Sequence, residues 1–169
     1  VVAKLRNAGQ VCIAPQRYLV HDSIAEKFIE VAEAKMRSVK VGNGLDPVTE
    51  MGPMINATQR NNLESLVREA VGHGATVVTG GSRGTFENGY FFEPTLVRNA
   101  SSDNPLFQRE IFGPVMPVTT FRTTEEAIHL ANATEYGLAS YIWTNDLKTA
   151  IHASEQIEFG LVGINEWYP

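Results

Sequence analysis

Val115-Met116-Pro117-Val118-Thr119-Thr120-Phe121, followed by Arg122-Thr123-Thr124-Glu125-Glu126, decides the fold class. The first seven residues are rich in β-branched side chains and read as a strand. Thr123 or Thr124 then opens a helix running to about residue 131, with Glu125 and Glu126 in the first turn, where the helix dipole favours them. A strand feeding directly into a helix is the repeating unit of an α/β domain. Towards the C-terminus, Gly137 breaks the chain before a strand at 140–143, a helix from Asp146 to about Ile157, and a last strand at 160–165. Glycines in that last strand would let other backbone or a ligand come close.

Working back from Val115, the stretches 90–92 and 95–97 flank Glu93-Pro94 and read as strand pieces interrupted at a sheet edge, because proline cannot donate to a ladder. Residues 75–79 form a short strand, and Gly80-Gly81 a plain turn. A helix over 57–71 turns Leu63, Leu66, Val67 and Ala70 inward, and Gly72 and Gly74 stop it. The stretch 41–47 is a turn-rich loop that continues through Gly52-Pro53. Before it, Asp22 or Ser23 caps a helix over 24–39, with Ile24, Phe28, Val31 and Met36 as its apolar stripe. A short strand at 17–21 precedes that helix. Residues 1–10 read as a short helix with Lys4 and Arg6 between its apolar positions, loosened by Gly9. Six or so strands alternate with four substantial helices, which predicts a mostly parallel sheet covered by helices. Such sheets bind ligands at the carboxyl ends of their strands.

Composition narrows the function. Over 169 residues the chain is 43% hydrophobic and 20% charged, as expected of one globular domain with a real core. Net charge is −5 and no Lys/Arg run exists, so no footprint for nucleic acid or an anionic membrane is expected. No apolar run approaches the roughly 20 residues needed to span a bilayer. With one cysteine and four scattered histidines, neither an internal disulfide nor a Cys-rich metal site is expected. A free thiol survives best in a reducing compartment, which makes the cytoplasm the expected location.

The lone cysteine lies in Asn7-Ala8-Gly9-Gln10-Val11-Cys12. A thiolate is the strongest nucleophile that a side chain offers near neutral pH, although most free cysteines are inert buried residues. A second polar spot is Glu110, next to Ile111-Phe112-Gly113-Pro114. Taken alone it reads as a solvated loop carboxylate beside a core phenylalanine. His21, His73, His129 and His152 show no mutual spacing that suggests a dyad or a metal site, and read as structural or solvent-facing.

Together these stretches resemble the NAD(P)-dependent aldehyde dehydrogenase superfamily. Asn7–Cys12 is similar to that family's active-site cysteine motif, and Glu110–Pro114 to its second signature. The interval between them is similar too, as are Asn132…Tyr136-Gly137-Leu138-Ala139 and Gly163-Ile164-Asn165. The resemblance runs in register over all 169 residues. It implies the family's three-layer catalytic architecture, with Cys12 as nucleophile and its backbone N–H as an oxyanion donor. It implies NAD or NADP as cofactor, with Glu110 on the nicotinamide ribose, Phe112 beside the nicotinamide and Gln59 near the same ribose. Asn165 and Trp167 would fall in the segment lining the substrate mouth. Residues 136–141 and 159–165 look most like the succinate-semialdehyde branch. Arg17 is one candidate cation for the distal carboxylate of such a substrate, with a surface role as its alternative.

The family pattern also has parts outside these residues: a Rossmann-like cofactor domain, a side-chain oxyanion Asn, a general-base Glu, and a C-terminal pocket loop and pairing strand. Residues 1–169 are therefore expected to be a single cysteine-bearing catalytic domain acting on a small-molecule aldehyde, within a homo-oligomer. Alone, they are expected to bind NAD poorly and turn over slowly or not at all. Two other readings stay open. One is a binding or assembly domain with a vestigial cysteine. The other is a cofactor-independent thiol esterase.

Overall fold

Val115–Phe121 forms the expected strand, and the main sheet is built on it. The structure is a computed structural model that describes residues 1–86 and 88–167. Its strands are β1 (Tyr18–His21), β2 (Thr76–Thr79), β3 (Thr95–Arg98), β4 (Val115–Phe121), β5 (Ala139–Ile142) and β6 (Leu161–Ile164). Its α-helices are α1 (Val2–Leu5), α2 (Ala25–Ser38), α3 (Ala57–Gly72), α4 (Pro105–Gln108), α5 (Thr124–Asn132) and α6 (Leu147–Gln156). The main sheet has the order β1-β4-β3-β2, with β4 parallel to both neighbours and β2 antiparallel to β3. β5 and β6 pair in parallel as a second sheet. The fold is α/β with mostly parallel strands, as expected, but the strands divide between two sheets.

β4 changes partner along its length. It pairs with β3 through Val115, Met116 and Pro117, and with β1 from Val118 to Phe121. Pro117, which has no N–H, is thus the last residue of the β3 ladder, directly before the β1 ladder begins at Val118. Val115, Met116, Pro117 and Val118 are all buried, as both faces of this sheet are covered. On one face, Leu96, Met116 and Val118 pack with Ala25, Ile29, Ala32 and Met36 of α2. On the other, Val97 and Val115 pack with Leu5 of α1, Leu63, Leu66, Val67 and Ala70 of α3, and Leu106 and Phe107 of α4. The alternation of neighbours Leu96 and Val97 between the two cores is the period of two of a strand.

Four expectations are corrected. The buried stripe of α2 is Ala25, Ile29, Ala32 and Met36, while Ile24 and Val31 are more than half exposed. Asp22–Ile24 forms a 3₁₀ turn capped by the His21 ring, which accepts the Ser23 N–H, so neither Asp22 nor Ser23 caps the helix. A 3₁₀ turn winds more tightly than an α-helix and shifts which residues face the sheet. Residues 90–92 are not a strand, and β3 is interior rather than an edge. Pro94 lies just before β3, and Thr95 starts the strand by donating its N–H to the Pro114 carbonyl at 2.9 Å. Finally, α1 ends at Leu5, well short of Gln10, because the next residues leave the right-handed region altogether.

Candidate active site

The segment leading to Cys12 is held in a sparsely populated backbone conformation. Asn7, Ala8 and Gly9 have φ of 50°, 54° and 73°. For non-glycine residues such geometry costs on the order of 1–3 kcal/mol each and persists only where the surroundings impose it. The surroundings are visible. A Cβ on Gly9 would lie 2.1 Å from the Gly113 carbonyl oxygen, so the cysteine segment presses backbone-to-backbone on the Glu110 loop. Asn7 Nδ2 donates to the Gln10 carbonyl at 3.1 Å, and Gln10 Nε2 donates to the Asn7 carbonyl at 3.0 Å. Gln10 Oε1 accepts the Ile55 N–H at 2.8 Å, tying the motif to the segment before α3. The Asn, Gly and Gln of the motif therefore each have a mechanical task.

Cys12 sits in the turn that follows, with its side chain exposed. That turn is closed by the Ala14 N–H donating to the Val11 carbonyl at 3.0 Å. The Cys12 N–H donates to no acceptor among the described residues, which leaves it available beside the thiol. Tyr141 of β5 braces the turn from the second sheet: its hydroxyl donates to the Ile13 carbonyl at 2.9 Å. Burial, and next the charge of a Cys12 thiolate, push the Tyr141 phenol above its ordinary value.

Across the contact from Gly9, α4 leads into Arg109, which pairs with Glu69 of α3, and then into exposed Glu110. The peptide groups on either side of the Glu110 α-carbon are held by side chains. The Glu110 N–H donates to Tyr136 Oη at 3.3 Å, and the Ile111 N–H to Gln16 Oε1 at 3.3 Å. Phe112 takes a left-handed φ of 45°, and its carbonyl accepts Gln59 Nε2 at 3.5 Å. Glu110, Phe112 and Gln59 line one open cleft of ≈ 470 Å³ with Ile55, Asn56 and Thr58. The cleft lies at the N-terminus of α3, which Asn56 caps by accepting the Gln59 N–H at 2.8 Å.

The other candidates are placed elsewhere. Asn165, at φ 54°, spends its amide on Thr144: Oδ1 accepts the Thr144 N–H at 3.0 Å and Nδ2 donates to the Thr144 carbonyl at 2.8 Å. It braces the ends of β5 and β6 against each other. Trp167 follows it, half-buried, its N–H donating to Glu166 Oε1 at 2.8 Å. Arg17 donates to the Leu130 and Ala131 carbonyls at 3.1 and 2.8 Å, near the C-terminal end of α5, and stacks on Phe107. Its guanidinium is thus structural, part-buried and turned to backbone. His21 caps a turn and His73 binds the Glu69 carbonyl. No group of three or more His, Cys, Asp or Glu residues that could hold a metal occurs among the described residues.

Four residues escaped the sequence reading: Lys4, Gln16, Tyr136 in its bonding role, and Tyr141. Lys4 read as a polar spacer of the first helix, yet it is wholly buried. Its one sequence signal is position, between apolar Val1 and Leu5 on a short helix that must bury a face.

The aldehyde dehydrogenase family profile matches residues 1–169. A succinate-semialdehyde dehydrogenase of Paenarthrobacter nicotinovorans is 44% identical over 165 residues, covering 98% of this chain and 36% of that protein. A betaine aldehyde dehydrogenase of Bacillus subtilis is 40% identical over 166 residues, covering 96% of this chain and 34% of that protein. Among solved structures, betaine aldehyde dehydrogenase from Staphylococcus aureus in complex with NAD+ superposes with a TM-score of 0.96 at 40% identity, covering 99% of this chain and 34% of that one. The chain spans about a third of the length of the curated relatives it matches. No helix among the described residues is long and apolar enough to cross a membrane.

Proposed function

The chain belongs to the aldehyde dehydrogenase family, and from that premise we propose that it carries the nucleophile and part of the cofactor site of an enzyme oxidising an aldehyde to its acid. The observation that carries the reading is the contact of Gly9 with Gly113, which locks an exposed, strained cysteine turn onto the loop presenting Glu110. Local strain imposed by packing is how a fold holds a reacting group in one geometry.

The cleft residues suit a nicotinamide nucleotide. A carboxylate accepts two hydroxyl donors at once, as a ribose diol requires. Glu110 supplies that carboxylate, Gln59 an amide beside it, and Phe112 an apolar wall. Bound NAD or NADP would supply the hydride acceptor. The chain's own residues do the rest. The Cys12 thiolate adds to the carbonyl carbon, forming a C–S bond, and the oxygen takes up the electron pair. The free Cys12 N–H stands ready to donate to that oxygen. After loss of hydride the carbon is a thioester, and water displaces the sulfur to give the acid and restore Cys12. Sulfur suits both halves, adding readily and leaving readily.

Succinate semialdehyde is the substrate class we favour, supported by relatives of that name in bacteria, plants and mammals. Asn165 and Trp167 would shape the substrate mouth, Asn165 by bracing backbone. Exposed Leu138, Trp143, Leu147, Ile151 and Ile164 offer apolar surface for a homo-oligomer, and an exposed lone thiol suits a reducing cytosol. The test is NAD+-dependent oxidation of succinate semialdehyde against betaine aldehyde, in the longest polypeptide carrying these residues. Trapped acyl adducts on Cys12 in mass spectrometry support the reading, and turnover that survives Cys12→Ala defeats it. Exposure of the thiol beside a free N–H also favours acylation by activated esters. A p-nitrophenyl acetate burst lost in Cys12→Ala would identify that second activity.

A further inference from the structure

A lysine that the chemistry above does not use lies behind the Glu110 loop. Lys4 of α1 is 0% exposed. Its Nζ donates to Gln16 Oε1 at 3.3 Å, and the same oxygen accepts the Ile111 N–H at 3.3 Å. Only a carbonyl oxygen serves two donors, so the pair fixes which way the Gln16 amide points. Gln16 Nε2 is left buried without a partner among the described residues. Burying an ammonium and an amide N–H so sparsely bonded is unfavourable, and an apolar side chain of similar length would avoid it. Burial drives the Lys4 pKa down to about 7, and the negative charge of Glu110 works against that drop. One amide thus joins Lys4 to the peptide group that follows Glu110.

We propose that Lys4 is a positioning residue for Glu110: through Gln16 it fixes the peptide on the C-terminal side of Glu110. The consequence is a carboxylate held in one orientation towards the cleft, ready for a ribose diol. Tyr136 holds the N-terminal side of the same residue. This inference rests on the reading of Glu110 as the ribose ligand.

The test uses the longest polypeptide carrying these residues. It reads NAD affinity by calorimetry, KM for the aldehyde, the alkylation rate of Cys12 and the urea midpoint. Lys4→Met is expected to weaken NAD binding about tenfold, a loss of the size of one charge-assisted contact, while leaving aldehyde KM and Cys12 alkylation within about twofold. Its urea midpoint at neutral pH is expected to rise, a combination that a purely structural lysine would not produce. Gln16→Met removes the shared acceptor and is expected to weaken NAD binding in the same way, which decides the matter should Lys4→Met fail to fold. Gln16→Glu keeps an acceptor for both donors and is expected to recover most of the affinity. NAD affinity that is unchanged in both Met variants yet weakened by Glu110→Gln overturns the proposal. Unchanged affinity in Glu110→Gln itself removes the ribose reading, and this inference with it.

Discussion

The two sheets of this molecule are held by different means. The four-stranded sheet is packed on both faces, and its central residues Leu96, Val97, Val115 and Met116 are at most 1% exposed. In the β5–β6 sheet every residue of β5 is only half-buried, and α5 has no buried residue at all. That unit leans on the rest through directed side-chain bonds, among them Arg17 to the end of α5, Tyr141 to Ile13, and Tyr136 to Glu110. Two of these three end on the segments that carry Cys12 and Glu110. The packed sheet supplies rigidity, and the thinly packed unit supplies the braces that reach the site from its open side.

The largest expected effect falls on chemistry without touching either sheet. Cys12→Ser should lower aldehyde turnover by at least about a thousandfold, while the urea midpoint stays put because the side chain is exposed. A variant that kept turnover would remove Cys12 from the mechanism.

Core truncation should separate the two sheets. Leu96→Ala, at 0% exposure, should cost about 2–5 kcal/mol. Ile142→Ala in β5, which is half-buried, should cost less than half as much as the same deletion in a closed core. Equal losses in chemical denaturation would show that β5–β6 is as tightly packed as the main sheet.

Stability should also depend on pH through Lys4. Its folded pKa of about 7 lies below the ordinary 10.5 of the unfolded chain. Between those values the unfolded chain binds the extra proton, so stability rises with pH across that window and is flat in this term below it. The buried Tyr18 phenol is pushed up by burial and acts oppositely above about pH 10, where the unfolded chain loses that proton first. Urea midpoints at about pH 7 and about pH 9.5 should therefore differ in the wild type and converge in Lys4→Met. An identical slope in both would mean that the Lys4 ammonium is solvated.

The smallest effect sharpens the bracing. Tyr141→Phe deletes the bond to the Ile13 carbonyl and should cost about 0.5–1.5 kcal/mol. Hydrogen exchange should quicken in β5 and around Ile13 while β3 and β4 stay protected. Uniform quickening would mean that the two sheets open as one unit.

Much of this was legible in the chain. Leu63, Leu66, Val67 and Ala70 point inward as their spacing predicts, and Thr123 and Asp146 cap their helices through side-chain oxygens. Of the α2 stripe, Met36 and Phe28 do face the core, while Ile24 and Val31 were misread because the 3₁₀ turn before the helix depends on how His21 folds back onto Ser23. At the site, Cys12, Glu110, Phe112 and Gln59 were identified by resemblance. Residue spacing could not show that Gly9 meets Gly113, or that Gln59 shares a cleft with Glu110. Arg17 read as a candidate substrate cation or a surface residue, and only the path of α5 past it turned it into a helix brace.

By itself, then, the sequence determined the order of the main strands and helices and where several of the helices begin. Those follow from hydrophobic period and hydrogen-bonding side chains, which act within a few residues. The tertiary structure alone decided that β3 is interior, that Lys4 is wholly buried and shares Gln16 with the Ile111 N–H, and that Asn7, Ala8 and Gly9 are wound left-handed. Burial and strain depend on which distant segment covers a residue, and no local pattern carries that information.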